Sequence, residues 1–143
     1  MKTLSVTAYL GMVGGVVALL AMRKLFSSSP LVISLQAGAF LLMLWARVTF
    51  GRRSFHAEAH PTAGGLVTRG PYRFIRHPIY AAVCLFTWTG VIGHWSWNAA
   101  LWGALVLAGA ILRILCEEPV VAARYPEYAQ YKAKTWRMVP YVY

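Results

Sequence analysis

The sequence has no aspartate, and its acidic residues, Glu58, Glu117, Glu118 and Glu127, stand against 14 lysines and arginines. Cysteine is equally scarce. Cys84 and Cys116 show no close spacing, so neither a disulfide framework nor a zinc knuckle is supported. No Ser-His-Asp ordering, no Walker-type glycine loop and no G-x-G-x-x-G is present, which removes hydrolase and soluble nucleotide-fold readings. Charge as a whole is thin, at 13% of residues against 59% hydrophobic, far from the balance of a soluble globule. Internal repeats and low-complexity tracts are absent.

What is there is apolar sequence in long runs. Thr3 to Met22, Leu31 to Ala46, Ile79 to Gly93 and Asn98 to Leu112 carry no charge. A hydrocarbon core of about 30 Å takes about 20 helical residues, so the first run spans unaided and the others span with their flanks. The expected fold is all-α: a single integral membrane domain over 1–143, with transmembrane helices over about 3–22, 31–49, 78–95 and 98–116. A loop over 51–77 and a C-terminal segment over 117–143 complete it. The first run is long and is followed by Met22-Arg23-Lys24 rather than a small-residue cleavage motif, so it reads as a helix of the mature protein, not a signal peptide.

The formal charge of +10 is sorted by loop. Lys2 precedes the first helix; Arg52, Arg53, Arg69, Arg73 and Arg76 fall between the second and third; Arg124, Lys132, Lys134 and Arg137 follow the fourth. Only Arg23 and Lys24 lie on the other side, and the link His94 to Trp97 has neither Lys nor Arg. By the positive-inside rule both termini are cytoplasmic, in an inner or plasma membrane. Topology and anionic lipid headgroups account for the charge, and nucleic acid is not an expected partner.

Along the chain, Gly11, Gly14 and Gly15 would let a neighbouring backbone approach the first helix, although ordinary small-residue packing explains them equally. Gln36 is a lone intramembrane polar group suited to a helix–helix hydrogen bond, and Arg47 can snorkel from the end of the second helix. The short link His94-Trp95-Ser96-Trp97 predicts an antiparallel hairpin of the third and fourth helices, with Trp95, Trp97 and Trp102 at the outer interface. Tyr125, Tyr128 and Tyr131 recur beside Lys132 and Lys134 in an interfacial amphipathic tail, broken near Pro126.

Polar chemistry concentrates in two places. Gly70-Pro71-Tyr72-Arg73-Phe74-Ile75-Arg76-His77-Pro78-Ile79-Tyr80 offers three arginines, an imidazole and two phenols directly ahead of a span. Pro78 suits the first turn of the third helix. His77 before it should be extended, which sets the imidazole beside the free N–H groups of that helix and makes a place for an anionic group. The alternative is a structural histidine. Glu117-Glu118 stand at the end of the fourth helix, where the macrodipole disfavours anions. They either open a following helix at Pro119, pair with Arg113 one turn back, or face the basic loop and bind the hydroxyls or ammonium of a polar ligand. His56 and His60, with Glu58 between, read better as solvated loop than as metal ligands, and no metal centre is expected.

Leu66 to Tyr80, then Glu117-Glu118, then Tyr125, Tyr128, Tyr131, Arg137 and Pro140 resemble the isoprenylcysteine carboxyl methyltransferase family and its bacterial phospholipid-methyltransferase-like relatives over about the C-terminal 80 residues. The arginine-histidine-proline-x-tyrosine motif joined to a double glutamate one hairpin later is specific; either half alone is weak. The sequence departs from that pattern at Ala82, where the family has glycine, and at Tyr125-Pro126, where phenylalanine-glycine is common. The resemblance implies an integral membrane enzyme that binds S-adenosylmethionine in a cytoplasmic pocket closed by the C-terminal segment, with a lipid-like methyl acceptor arriving from the bilayer. It assigns Tyr72, Arg76, His77, Tyr80, Glu117, Glu118, Tyr128 and Tyr131 to cofactor binding. Arg113, Glu117, Arg124 and Arg137 form the expected catalytic set, the arginines as candidates to hold an acceptor carboxylate in a bidentate fork.

Two other functions fit parts of the pattern. Membrane sterol reductases share a similar C-terminal region and bind NADPH, and Arg69, Arg73 and Arg76 could serve its phosphates. A non-catalytic partner-binding membrane protein would use the same residues only to anchor helices. The acceptor, a prenylcysteine-type carboxylate or a phospholipid amine, and the oligomeric state leave no mark in the sequence.

Overall fold

The computed structural model describes residues 2–51 and 65–143. His56, Glu58 and His60, with Arg52 and Arg53, lie outside the described residues. Among the described residues five helices form: α1 Lys2–Ala21, α2 Pro30–Phe50, α3 Pro78–Gly93, α4 Trp97–Arg124 and the short α5 Tyr128–Ala133, with a 3-10 turn at Gly70–Arg73. Among the described residues there is no strand, only an isolated parallel bridge between Ile75 and Trp136. By length and composition α1, α2 and α4 can cross a membrane, whereas α3 is a shorter apolar helix of 16 residues.

The helix ends follow local chemistry. Proline opens α2 and α3 with its preset φ. Ser96 caps α4, its Oγ accepting from the Ala99 N–H at 3.2 Å. α2 stops at Gly51, where φ is +72°, a value glycine reaches without strain. α4 does not stop where the sequence suggested. It runs eight residues beyond Cys116, to Arg124, with Pro119 inside it. Pro119 has no N–H to offer the Leu115 carbonyl, yet the helix continues through Val120 to Ala123. Glu117 and Glu118 therefore ride on a rigid helix, more than a turn from the negative end of its dipole.

α1 packs on α4, α4 on α3 and α3 on α2. In the α1–α4 seam a Cβ on Gly15 would meet Val106 and the Trp102 carbonyl, and one on Gly109 would meet the Ala8 carbonyl. These pairs run in opposite directions along the two helices, so α1 and α4 are antiparallel. Of the glycines of α1, Gly15 makes the close approach; a Cβ on Gly14 would meet nothing within 4 Å, and one on Gly11 would make an ordinary contact with Leu105 at 3.8 Å. Met12, Cys84, Val106, Ala110 and Ile114 form the main core with Met138 of the tail. Gln36 donates to the Phe86 carbonyl at 3.2 Å and to the Leu25 carbonyl at 2.6 Å, the helix–helix bond expected of it. Leu10, Val17, Leu31, Phe40 and Val48 face outward, as side chains in contact with lipid do.

Candidate functional site

The start of α3 and the last third of α4 meet at one end of the bundle, joined there by the first turns of α1 and by the tail. His77 is the residue before α3, with φ −125° and ψ 59°. Its ψ falls short of the extended value expected before proline, and the imidazole turns toward the two acids of α4. His77 Nε2 is 3.4 Å from Glu118 Oε1 and Nδ1 is 3.9 Å from Glu117 Oε2. These are charge contacts when the ring is protonated. Nε2 is buried with no hydrogen-bond partner.

Glu117 and Glu118, adjacent in sequence, belong to two different networks. Glu117 Oε1 accepts from the Tyr80 hydroxyl at 2.5 Å and from Arg113 Nη2 at 2.7 Å, and Arg113 Nε donates to the Tyr80 oxygen at 2.6 Å. The pairing of Arg113 with Glu117 one turn on is thus present, and it coexists with the approach of His77. Glu118 Oε1 accepts from Arg76 Nε at 2.9 Å, and its Oε2 accepts from Arg137 Nε and Nη2 at 3.2 and 3.1 Å. Arg76 Nη1 also donates to the Thr135 carbonyl. Arg76, Arg113 and Glu118 are all buried, so each charge is compensated where an unpaired one would be costly.

The tail is stitched onto this end by its backbone. Arg76 N–H donates to the Trp136 carbonyl at 2.7 Å, His77 N–H to the Arg137 carbonyl at 2.9 Å, and Trp136 N–H to the Phe74 carbonyl at 3.1 Å. The Tyr131 hydroxyl donates to the Tyr72 carbonyl at 2.6 Å. Tyr72 thus contributes its backbone, while its ring packs against Phe50 at 5.4 Å. Burial pushes the Tyr128 phenol up to about 12, with the Glu118 charge adding to the rise, and burial raises Tyr72 and Tyr131 as well. All three stay neutral near pH 7. Arg137 is held more firmly protonated, first by its hydrogen bonds to Glu118.

Beside the network, an open groove of about 410 Å³ runs along the C-terminal part of α4 and α5. Leu115, Pro119, Ala122, Pro126 and Ala129 supply its apolar walls, and Glu118, Tyr128, Lys132 and Arg137 its polar lining. That volume is within the range of small-molecule sites.

Of the residues singled out by sequence, Arg76, His77, Tyr80, Arg113, Glu117, Glu118 and Arg137 come together, with Tyr128 and Tyr131 in the adjoining layer. Arg124 does not. It is exposed at the end of α4, and the structure gives it no part in the cluster. Nor do Arg69, Arg73 and Arg76 form a common phosphate site: Arg76 is committed to Glu118 and Thr135, while the exposed Arg73 lies over the Phe74 ring at 4.9 Å. Sequence reading missed Thr135, Ser5 and Tyr9, which carried no motif. Among the described residues no group of His, Cys, Asp and Glu is arranged to hold a metal ion.

The fold and the cluster define a class: a small helical membrane protein with a dense acid, arginine and imidazole network at one end of its bundle. The chain belongs to the phospholipid methyltransferase family, whose pattern it matches over residues 33–128, more than half its length. It is also similar to the cobalt-zinc-cadmium resistance protein CzcN of Cupriavidus metallidurans, 35% identical over 78 residues, which cover 52% of this chain and 35% of that protein. The match therefore spans about a third of that relative's length. No solved structure matches.

Proposed function

We propose that the protein transfers a methyl group from S-adenosylmethionine to a lipid-like acceptor held in the membrane, at a cytoplasmic site. The observation that carries this reading is the meeting of His77 with Glu117 and Glu118, of which Glu118 also lines a groove of about 410 Å³. Family membership supports the reaction class. In this reading the chain crosses the membrane four times with both termini in the cytoplasm, and α3 spans with the help of its flanks.

The donor set fits the cofactor. S-adenosylmethionine carries an ammonium, a carboxylate, ribose hydroxyls and a sulfonium; Glu117 and Glu118 suit the cationic and hydroxyl groups, and the His77 imidazole, whose Nε2 lies 3.4 Å from Glu118 Oε1, can offer an N–H to an oxygen acceptor. The cofactor, when bound, supplies an electrophilic methyl group on sulfur. What remains for the protein is alignment and exclusion of water more than strong acid or base chemistry. Arg76, Glu118 and Arg137 tie the tail over the end of α3. Tyr80 and Arg113 fix the Glu117 carboxylate in one orientation, and the exposed apolar walls of α4 leave a path for an amphiphile from the bilayer.

Isothermal calorimetry on detergent-purified protein tests the reading. The wild type is expected to bind S-adenosylmethionine and its demethylated product; His77→Ala is expected to weaken binding at least about tenfold, the cost of one or two charge-assisted hydrogen bonds. Arg124→Ala is expected to leave it within about twofold, as surface substitutions do. Absence of binding to the wild type would end the assignment.

A further inference from the structure

We propose that Tyr9 of α1 is a positioning residue of this site, holding Arg113 so that Arg113 in turn keeps Tyr80 and Glu117 in register. The effect on turnover rests on the methyl-transfer reading; the effect on geometry does not.

The Arg113 guanidinium is gripped from three helices. Tyr80 of α3 takes Nε at 2.6 Å, and Glu117 of α4 takes Nη2 at 2.7 Å. From α1, the Ser5 carbonyl accepts from Nη1 at 3.4 Å, and the Tyr9 ring centroid is 5.2 Å from Cζ, within cation–π range. Two of these contacts thus come from a helix that lies ahead of the family-matched stretch, residues 33–128. The family pattern therefore supplies Arg113, Tyr80 and Glu117 but not the wall that steadies them.

The geometry separates this role from plain packing. Tyr9 is 36% exposed and belongs to neither hydrophobic core cluster. The seam between α1 and α4 is built by Ala8, Met12 and Gly15 against Gly109, Val106 and Trp102. Removing the Tyr9 ring leaves that seam in place. What it removes is the nearer of two aromatic faces on a long, flexible, desolvated cation, 5.2 Å from Cζ against 5.8 Å for the Tyr80 ring. Arg113 then gains freedom, and the hydrogen bonds it donates to the Tyr80 oxygen and the Glu117 carboxylate lose their fixed direction.

The test uses full-length protein labelled with 13C-tyrosine in detergent micelles, with the Tyr80 ring signal assigned from Tyr80→Phe. In Tyr9→Leu the Tyr80 signal is expected to move and kcat for methyl transfer to fall about tenfold, in the range of a desolvated cation–π contact. The melting temperature should hold. Tyr9→Phe, which keeps the ring, should restore both signal and kcat; Tyr9→Met serves as the ringless variant if Leu does not fold. An unmoved Tyr80 signal in the ringless protein overturns the proposal, as does an equal loss in Tyr9→Phe or a moved signal with unchanged kcat. A wild type that neither binds the cofactor nor transfers methyl sinks the enzyme reading alone, because the Tyr80 signal still decides the positioning claim.

Discussion

Glu118 is shared by two arginines of different standing. The Arg76 side chain is 6% exposed and reaches three groups of the tail as well as the carboxylate, whereas the Arg137 side chain is 27% exposed. Breaking a buried pair strands a charge, so Arg76→Met is expected to cost about 3–5 kcal/mol. Arg137→Met, at a partly solvated contact, should cost no more than about 1 kcal/mol. Denaturant unfolding in micelles measures both; equal losses would mean that Arg137 is as structural as Arg76. Sequence showed these residues as a list. It could name His77, Tyr80, Glu117 and Glu118 from the joined motifs, but not that neighbouring glutamates serve separate networks, because that depends on which helix faces each carboxylate. Ser5 and Tyr9 were illegible for the same reason: a serine and a tyrosine in an apolar run look like any others until the run is packed on α4.

Elements were legible where local chemistry sets them. Pro78 and the short His94–Trp97 link were enough to place the start of the third helix and the hairpin. The end of α4 was not, since the rule that proline opens or closes a helix is overridden when packing holds the turn around it; Ile114, Cys116 and Glu118 are buried there. Small residues separate in the same way. A Cβ on Gly90 would collide with the Leu25 carbonyl, which is backbone and cannot step aside, while one on Gly14 meets nothing within 4 Å. Gly90→Ala is therefore expected to destabilise by about 1–3 kcal/mol, the usual range for overpacking. Gly14→Ala should be neutral, and thermal unfolding of the two variants distinguishes contact glycines from those that merely share a helix face.

For the whole molecule, the antiparallel seam of α1 and α4 puts the start of the chain and the end of α4 at the same end of the bundle, the end that carries the site. On the proposed topology this end is cytoplasmic. Single-cysteine labelling checks it: with Cys84 and Cys116 buried, Trp97→Cys is expected to react with an impermeant maleimide in intact cells and Lys134→Cys only after permeabilisation. The reverse pattern would place the site on the outer face. Hydropathy and motif spacing were enough to determine the helical class, the hairpin and the family, because these follow from local hydrophobicity and from residue types at fixed separations. Only the tertiary structure decided which motif residues share a site, that Arg124 stands apart from it and that α1 closes it, because long-range contacts between helices depend on how their faces turn toward one another, and no local rule specifies that.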